Sequence, residues 1–356
     1  MFITGIGTAT PEQRYSQNDC FEALAASDLF HGLSSRSQSL LRKVLNGGSG
    51  INTRYLALNL AGELEQLNPD ALHTRFLRHA PTLAANAARR ALTDADMNAV
   101  DIDAVVVSTC TGYLCPGLSS YVVERLRLKS GVMALDLVGQ GCGAALPNLQ
   151  TAEGLLALDG RCRAVLSICV EVCSAAFYLD DDPGVLISAC LFGDGAAAIV
   201  LRNEPNRGKR SVEWKGSVSV IDPARRDLLR FEQRDGMLRN VLTPPVPQLA
   251  ARFAKEVLNR ALAERHLKQQ DICTWVWHTG GRDVLDALGA RIGLDENDLR
   301  WSRMTLSECG NTSSASVLFV LERALNNNAP AGWWWMSSFG AGFSSHGALL
   351  NVSEPA

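Results

Sequence analysis

The chain has 356 residues, of which 47% are hydrophobic and 20% are charged. This length exceeds the ~250–300 residues at which a single hydrophobic core usually stops growing, so we expect two halves. The composition is typical of a packed globular enzyme and excludes a largely disordered chain. A formal net charge of −3 gives no support for a nucleic-acid partner.

The N-terminal stretch contains no basic leader and no apolar run of signal-peptide length. Apolar stretches elsewhere are strand-sized, well short of the ~20 residues that span a bilayer, so we expect no membrane partner. The ten cysteines are scattered and none forms a Cys-x-x-Cys pair. We therefore expect free thiols, a cytoplasmic location and no bound metal.

In the first half, predicted to span residues 1–205, short apolar strands alternate with helical patterns, which favours an α/β fold. An alanine-rich helix is predicted over 81–92. Strands are predicted over 103–108, 163–170 and 196–201. The segment 205–215 is polar and poor in strand-forming residues, so we place the boundary between the halves near residue 205.

The second half, predicted to span residues 206–356, repeats this alternation. A helix is predicted over 247–266, a strand over 274–277, a helix from Arg282, a helix ending near 325 and a strand over 332–337. Residues 141–155 and 310–325 share one pattern, in which a glycine precedes a reactive or polar residue, small residues and a helix. The two helix starts, one from each half, are predicted to converge on one site.

Cys142 lies among small residues at the start of the first of these helices. A thiol is nucleophilic only when ionised, and its ordinary pKa of ~8.5 leaves a few per cent ionised at neutral pH. A helix N-terminus and a nearby imidazolium can lower that pKa to roughly 3.5–7.5. We therefore expect Cys142 to be a nucleophile with a lowered pKa.

His278 is the best candidate for the partner imidazole, because it ends a predicted strand and precedes Thr-Gly-Gly, a tight turn that exposes the ring. Asn311, between Gly310 and Thr312, would by itself be interpreted as a helix N-cap. Together with Cys142 and His278, Asn311 gives a set of one Cys, one His and one Asn, each at the end of a predicted helix or strand.

Five motifs in this order resemble those of the thiolase-fold condensing enzymes, and most of all the type III polyketide synthases, the chalcone and stilbene synthase-like family. They are Gly-Cys-Gly-Ala-Ala (141–145), Leu-Phe-Gly-Asp-Gly-Ala-Ala-Ala (191–198), His-Thr-Gly-Gly (278–281), Gly-Asn-Thr-Ser-Ser-Ala (310–315) and Phe-Gly-Ala-Gly (339–342). The resemblance runs over nearly the whole chain. It implies two pseudo-duplicated α/β halves in a layered αβαβα core, and a homodimer.

By this resemblance, Cys142 accepts the starter acyl group from an acyl-CoA. His278 and Asn311 hold the malonyl-CoA thioester and stabilise the enolate that forms when CO₂ leaves. That enolate then lengthens the acyl chain on Cys142 before cyclisation, with CoA thioesters as substrates and no other cofactor. Phe192 matches the family's gatekeeper. In the segment that resembles the family's CoA entrance, Arg42, Lys43 and Arg54 are the candidates to face the CoA phosphates. The positions that match the lining of the substrate cavity are Thr111, Glu171, Cys173, Ala176, Ser188 and Ser313.

The chain departs from the plant members of the family at several positions. Gly143 replaces a bulky residue, Thr279 replaces a proline, and Ala341 replaces a proline of the last glycine-rich loop. A second gatekeeper aromatic is missing from residues 238–247. With less bulk at Ala176 as well, we expect aliphatic starters to be preferred over coumaroyl-like aromatic ones.

Three alternatives share parts of this pattern. A ketoacyl synthase III-like enzyme would perform one condensation on an acyl carrier protein, but that family usually follows its His with Gln-Ala-Asn. A non-catalytic thiolase-fold subunit would typically have lost the nucleophile. A cysteine hydrolase would use the same Cys–His pair to release CoA without decarboxylation.

Overall fold

The computed structural model describes residues 1–158 and 160–355, and a large mixed β-sheet dominates it. The strands are β1 (Phe2–Ala9), β2 (Arg14–Ser16), β3 (Thr53–Tyr55), β4 (Ala104–Ser108), β5 (Met133–Leu137), β6 (Ala164–Glu171), β7 (Gly195–Arg202), β8 (Ser211–Ile221), β9 (Leu229–Arg234), β10 (Met237–Leu242), β11 (Ile272–Trp277), β12 (Gly332–Gly340) and β13 (Ser344–Ser353).

The helices are α1 (Gln17–Ala25), α2 (Asp28–His31), α3 (Ser35–Lys43), α4 (Leu60–Glu63), α5 (Pro69–Asp94), α6 (Leu118–Leu126), α7 (Ala145–Leu156), α8 (Pro183–Leu191), α9 (Val246–Glu264), α10 (Arg282–Ile292), α11 (Glu296–Cys309) and α12 (Ser316–Asn326). Side-chain caps begin several of them. At α11, for example, Asp295 accepts a hydrogen bond from the Asp298 N–H and Asp298 accepts one from the Asp295 N–H. Among the described residues, no helix has both the length and the apolar character needed to cross a membrane.

The large sheet has the strand order β11-β12-β13-β8-β1-β7-β6-β4-β5. Strands from the first half of the chain form one continuous block, β1-β7-β6-β4-β5, and those from the second half form the other. The blocks join where β1 pairs antiparallel with β8, with Phe2 opposite Glu213 and Ile3 opposite Val212. Each half therefore contributes its own block of strands.

Helices pack in layers around these strands. The core that contains α7 and α12 also holds side chains from β1 and β6 of the first half and β11, β12 and β13 of the second half. A second core packs α5 on the first block, and a third packs α9 and α10 on the second block. This arrangement is the predicted αβαβα layering, with α7 and α12 in the central layer.

Most predicted elements occur within a few residues of their expected bounds, and two differ. The helix predicted over 81–92 extends from Pro69 to Asp94 and includes Pro81. The segment 205–215 was expected to lack strand structure, but β8 begins at Ser211. Val212 and Trp214 are buried on one face of β8 while their neighbours are partly exposed, which is the alternation of a half-buried strand.

Candidate active site

Cys142 lies in a 3₁₀ turn, Gly141–Gly143, that leads into α7. Gly141 has φ of +55°, a left-handed conformation that glycine adopts without steric cost. The Gly143 carbonyl accepts a hydrogen bond from the Ser338 hydroxyl at 3.0 Å. The turn of the first half is thereby anchored to β12 of the second half, which fixes the position of the sulfur.

Burial controls the ionisation of Cys142. It raises the pKa of the thiol to about 12, although the hydrogen bond that Cys142 shares with Ser313 lowers it and the nearby Glu171 carboxylate raises it further. The prediction of a lowered pKa is therefore wrong for this conformation, because removal from water outweighs the helix start. In the resting site Cys142 is a neutral thiol.

Asn311 precedes a second 3₁₀ turn, Ser313–Ala315, that leads into α12. Its Oδ1 accepts a hydrogen bond from the Ser313 N–H at 2.9 Å, so the other side of the amide, the Nδ2 group, remains as a donor. Ser313 has φ of +51°, a strained conformation for a residue other than glycine. Its hydroxyl lies 3.3 Å from the Cys142 sulfur. One short segment therefore links two of the three predicted catalytic residues.

His278 follows β11 and reaches the same segment. Its Nδ1 hydrogen-bonds the hydroxyl of Ser316, the first residue of α12, and its ring packs edge-on against Phe339 at 4.9 Å. The Ser316 oxygen also accepts the Thr279 N–H at 3.4 Å, which favours donation of the hydroxyl proton to Nδ1 and leaves the ring proton on Nε2. Burial lowers the pKa of His278 to about 3. The imidazole is therefore neutral and can donate from Nε2.

Behind these residues lies Glu171, which is fully buried at the end of β6. Its carboxylate accepts hydrogen bonds from the Thr111 hydroxyl at 2.9 Å and from the Cys110 N–H at 3.0 Å. The hydroxyls of Ser313 and Ser314 also donate to it. A buried carboxylate needs such donors, so Glu171 fixes the two segments that meet beside Cys142.

The other predicted substrate-binding positions lie together. Thr111, Cys173, Ala176, Ser188, Phe192 and Ser313 all line one cavity, which has about 880 Å³ of empty space including the part open to solvent. Phe192 pairs with Asn311 through a parallel β-bridge. The predicted gatekeeper position is therefore fixed beside Asn311, and the binding roles themselves stay predictions.

Arg54 lines the same cavity, and its side chain is also paired inside the protein. Its side chain is buried, and Nη1 donates hydrogen bonds to the carbonyls of Ala189 at 2.7 Å and Phe192 at 2.9 Å. Its guanidinium satisfies the carbonyl groups at the end of α8, which lends no support to a contact with the CoA phosphates, so that role stays a prediction. Arg42 and Lys43, on α3, are exposed and remain as candidates for phosphate contacts.

Two departures from the plant sequences have a structural explanation. A Cβ on Gly143 would lie 3.1 Å from the Cδ2 of His346, a buried imidazole whose Nδ1 hydrogen-bonds Ser219 at 2.8 Å. His346 therefore takes space near residue 143 that a bulky side chain would need. Thr279 donates its N–H to Ser316 and its hydroxyl to the Gly310 carbonyl, and a proline could make neither bond.

Several residues of the site were not predicted. Cys110 lies 3.3 Å from the Ser313 hydroxyl, Asn240 lines the cavity, and Ser316 holds His278. The position of Cys110 two residues beyond the end of the buried strand β4 is a signal that could have indicated it, because polar residues at strand ends often form sites. Asn240 and Ser316 carry no comparable local signal.

Comparison with known proteins identifies the family. Residues 8–220 match the family model described as FAE1/Type III polyketide synthase-like protein, and residues 223–351 match that of the chalcone and stilbene synthases, C-terminal domain. The 1,3,6,8-tetrahydroxynaphthalene synthase of Streptomyces peucetius subsp. caesius is 31% identical over 98% of this chain and 92% of its own. The 3,5-dihydroxyphenylacetyl-CoA synthase of Streptomyces toyocaensis is 30% identical, with 98% and 89% covered.

Solved structures agree with these matches. The crystal structure of PKS-I from the brown alga Ectocarpus siliculosus superimposes with a TM-score of 0.89 at 25% identity, covering 98% of this chain and 97% of that one. The predicted thiolase-like fold is confirmed, and a carrier-dependent ketoacyl synthase III is not favoured. The chain belongs to the type III polyketide synthase family of acyltransferases.

Proposed function

We propose that this enzyme condenses malonyl-CoA units, with loss of CO₂, onto an acyl-CoA starter held as a thioester on Cys142, and then cyclises the product. One observation supports this most strongly. Cys142, His278 and Asn311 come from three separate elements, and the short segment 311–316 links them all. An acyl acceptor and two neutral donors are thereby held together in a buried site.

In the first step, the Cys142 sulfur attacks the carbonyl carbon of the starter thioester. A bond forms between that carbon and the sulfur, the bond to the CoA sulfur breaks, and the proton of the thiol leaves with CoA. Because burial holds Cys142 as a neutral thiol, this proton must leave as the substrate binds. The Ser313 hydroxyl remains hydrogen-bonded to the sulfur during this step.

In the second step, the malonyl carboxylate leaves as CO₂ and its electron pair forms a thioester enolate. The Nε2–H of His278 and the Nδ2 amide of Asn311 donate hydrogen bonds to the enolate oxygen. Fixed neutral donors suit this task, since they stabilise developing negative charge in a water-poor site without taking up the charge themselves. The low pKa of His278 keeps its imidazole neutral for this role.

In the third step, the enolate carbon attacks the acyl carbonyl on Cys142. A carbon–carbon bond forms, the carbon–sulfur bond breaks, and Cys142 is free to be acylated again by the lengthened chain. The names of the relatives above specify hydroxylated aromatic rings. They support cyclisation to a phenolic ring as the last step here.

This scheme requires CoA thioesters as substrates and no other cofactor. Arg42 and Lys43 are the residues that we propose to contact the CoA phosphates. We also propose a homodimer, because β5 is an edge strand of the sheet, with Met133 exposed at its start and Val138 exposed just beyond its end. An apolar edge strand is a template for pairing with a second chain. The ten free thiols suit the reducing cytoplasm as the location.

Incubation of the purified protein with malonyl-CoA and a panel of acyl-CoA starters tests the function. Mass spectrometry should detect chains lengthened by two-carbon units, with CO₂ released and no carrier protein added. A strict requirement for a carrier protein would contradict the proposal. Release of CoA from acyl-CoA alone, without decarboxylation, would instead show a hydrolase. Size-exclusion chromatography with light scattering tests the dimer, and a monomer would contradict it.

A further inference from the structure

The hairpin formed by β9 and β10 supplies part of the wall of the cavity beside Cys142. Asn240 on β10 and Phe231 on β9 lie directly opposite each other across the hairpin, and both line the cavity. Ser313 lines the same cavity, and its hydroxyl lies 3.3 Å from the Cys142 sulfur. A chain bonded to that sulfur therefore grows into a space that the hairpin helps to enclose.

Arg239, the neighbour of Asn240 in β10, fixes the hairpin in place. Its guanidinium donates hydrogen bonds to the carboxylates of Asp180 at 2.8 Å, Asp182 at 3.0 Å and Glu232 at 3.1 Å. The two aspartates come just before α8, so these ion pairs hold the hairpin to the start of that helix. Neighbouring residues of a strand point to opposite faces, so Asn240 faces the cavity while Arg239 anchors the other side.

The serine and threonine hydroxyls along this cavity already donate to other parts of the protein. They belong to Thr111, Ser174, Ser188 and Ser313, and their acceptors are Glu171, Asp194, Gly184 and Asn240. A hydroxyl has a single proton, so these four side chains have no further proton to donate to a ligand. A ligand whose oxygens need donors must find them elsewhere on the wall.

Asn240 offers such a donor. The residue is 8% exposed, and its Oδ1 accepts a hydrogen bond from the Ser188 hydroxyl at 2.7 Å, which orients the amide. Its Nδ2 group donates to no protein atom in the described part of the chain, so both N–H bonds are available to a ligand in the cavity. A poly-β-keto chain carries a ketone oxygen on every second carbon, and each such oxygen needs a donor when it is removed from water. The amide and the chain are therefore chemically complementary.

We propose that Asn240 is a specificity-determining residue, whose Nδ2 group donates a hydrogen bond to one ketone oxygen of the chain on Cys142 and so selects ring closure through carbon. This inference rests on the proposed function and specifies how the site controls the intermediate. In closure through carbon, a methylene carbon of the chain loses a proton and its electron pair forms a bond to the ketone carbon. The ketone oxygen takes up the negative charge and then a proton, and a hydrogen bond from Asn240 stabilises that charge.

Closure through oxygen is the competing reaction. There an enol oxygen loses its proton and attacks the thioester carbon, the bond to the Cys142 sulfur breaks, the sulfur takes up the proton, and a lactone leaves. A hydrogen bond to an oxygen withdraws electron density from it and makes it a poorer nucleophile. The amide of Asn240 therefore favours the carbocycle and disfavours the lactone.

The ratio of carbocyclic product to lactone tests the proposal. It is measured by chromatography and mass spectrometry with malonyl-CoA and the acyl-CoA starters used above, at equal consumption of malonyl-CoA. Asn240→Leu and Asn240→Asp both remove the amide donor, and each should lower the ratio about fivefold, the effect of one neutral hydrogen bond. Ser188→Ala removes the bond that orients the amide and should lower the ratio by a smaller factor. Asn98→Leu, at an exposed asparagine whose side chain caps no helix, is the matched control and should keep the wild-type ratio.

Several results would overturn the proposal. One is a wild-type ratio in the Asn240 variants, whether or not their overall activity falls, because a purely structural role lowers the rate without changing the ratio. A raised KM for malonyl-CoA with an unchanged ratio would place the amide against CoA instead, and a wild-type enzyme that forms only lactone would leave no carbocycle to select. Melting temperatures show whether each variant folds, and Ser188→Ala carries the test if the Asn240 variants do not. In all these cases chains would still be lengthened, whereas a wild-type enzyme that forms no lengthened product would refute the proposed function itself.

Discussion

Gly340, the last residue of β12, lies directly against the turn that carries Cys142. A Cβ added at this position would lie 2.5 Å from the Gly143 nitrogen, 2.7 Å from the Gln140 oxygen and 3.2 Å from the Cys142 nitrogen. All three are backbone atoms, so no side chain can rotate away. Ordinary contacts of a Cβ begin near 3.4 Å, so Gly340→Ala must push the turn back by about 0.9 Å.

A displacement of this size should be costly for catalysis. We expect Gly340→Ala to lower kcat/KM by about 100-fold, because a 1 Å misplacement of a reacting group can cost that much, and to destabilise the fold by about 1–3 kcal/mol. The assay measures product formation from radiolabelled malonyl-CoA alongside thermal unfolding. Gly154→Ala, where the new methyl group meets nothing within 4 Å, is the control and should retain full activity. Activity of Gly340→Ala within threefold of the wild type would refute the reasoning.

Three further predictions concern charged and titratable groups. The rate constant for alkylation of Cys142 by iodoacetamide should rise about tenfold per pH unit up to at least pH 9, because the pKa of the thiol is raised to about 12. A rate constant that reaches a plateau near pH 6 would show a thiolate and contradict this. Arg54→Met should destabilise the fold by about 1–3 kcal/mol and lower kcat/KM equally for malonyl-CoA and for a small uncharged thioester. Arg42→Met should lower kcat/KM for malonyl-CoA only. A loss confined to malonyl-CoA in Arg54→Met would instead support a role of Arg54 in phosphate binding. Glu171→Gln should lower the midpoint of urea unfolding, because an amide cannot accept all the hydrogen bonds that the carboxylate accepts, and an unchanged midpoint would contradict this.

The sequence was sufficient for most of the elements and for choosing three residues that the fold links through one short segment. The strand predicted over 163–170 appears as β6, because its continuous Val- and Ile-rich run is buried on both faces. Cys142, His278 and Asn311 each lie at the end of an element, a position that the local sequence pattern indicates. Short-range patterns of this kind are visible in any window of the chain.

Features that depend on contacts between distant parts of the chain could not be predicted from local sequence patterns. Glu171 binds donors about 60 and 140 residues away in sequence, and no local pattern indicates such a pairing. The burial of Arg54 follows from its position beneath α8, not from its neighbours in sequence. The raised pKa of Cys142 likewise depends on how much protein surrounds the sulfur, which only the folded chain determines.

The central claim is that Cys142 carries the acyl chain during condensation. Brief incubation with decanoyl-CoA, followed by digestion and mass spectrometry, should find one decanoyl group on the peptide that contains Cys142. Addition of malonyl-CoA should then remove that group as lengthened product, and Cys142→Ala should show neither the adduct nor the product. An adduct on another cysteine, or lengthened product formed by Cys142→Ala, would contradict the claim.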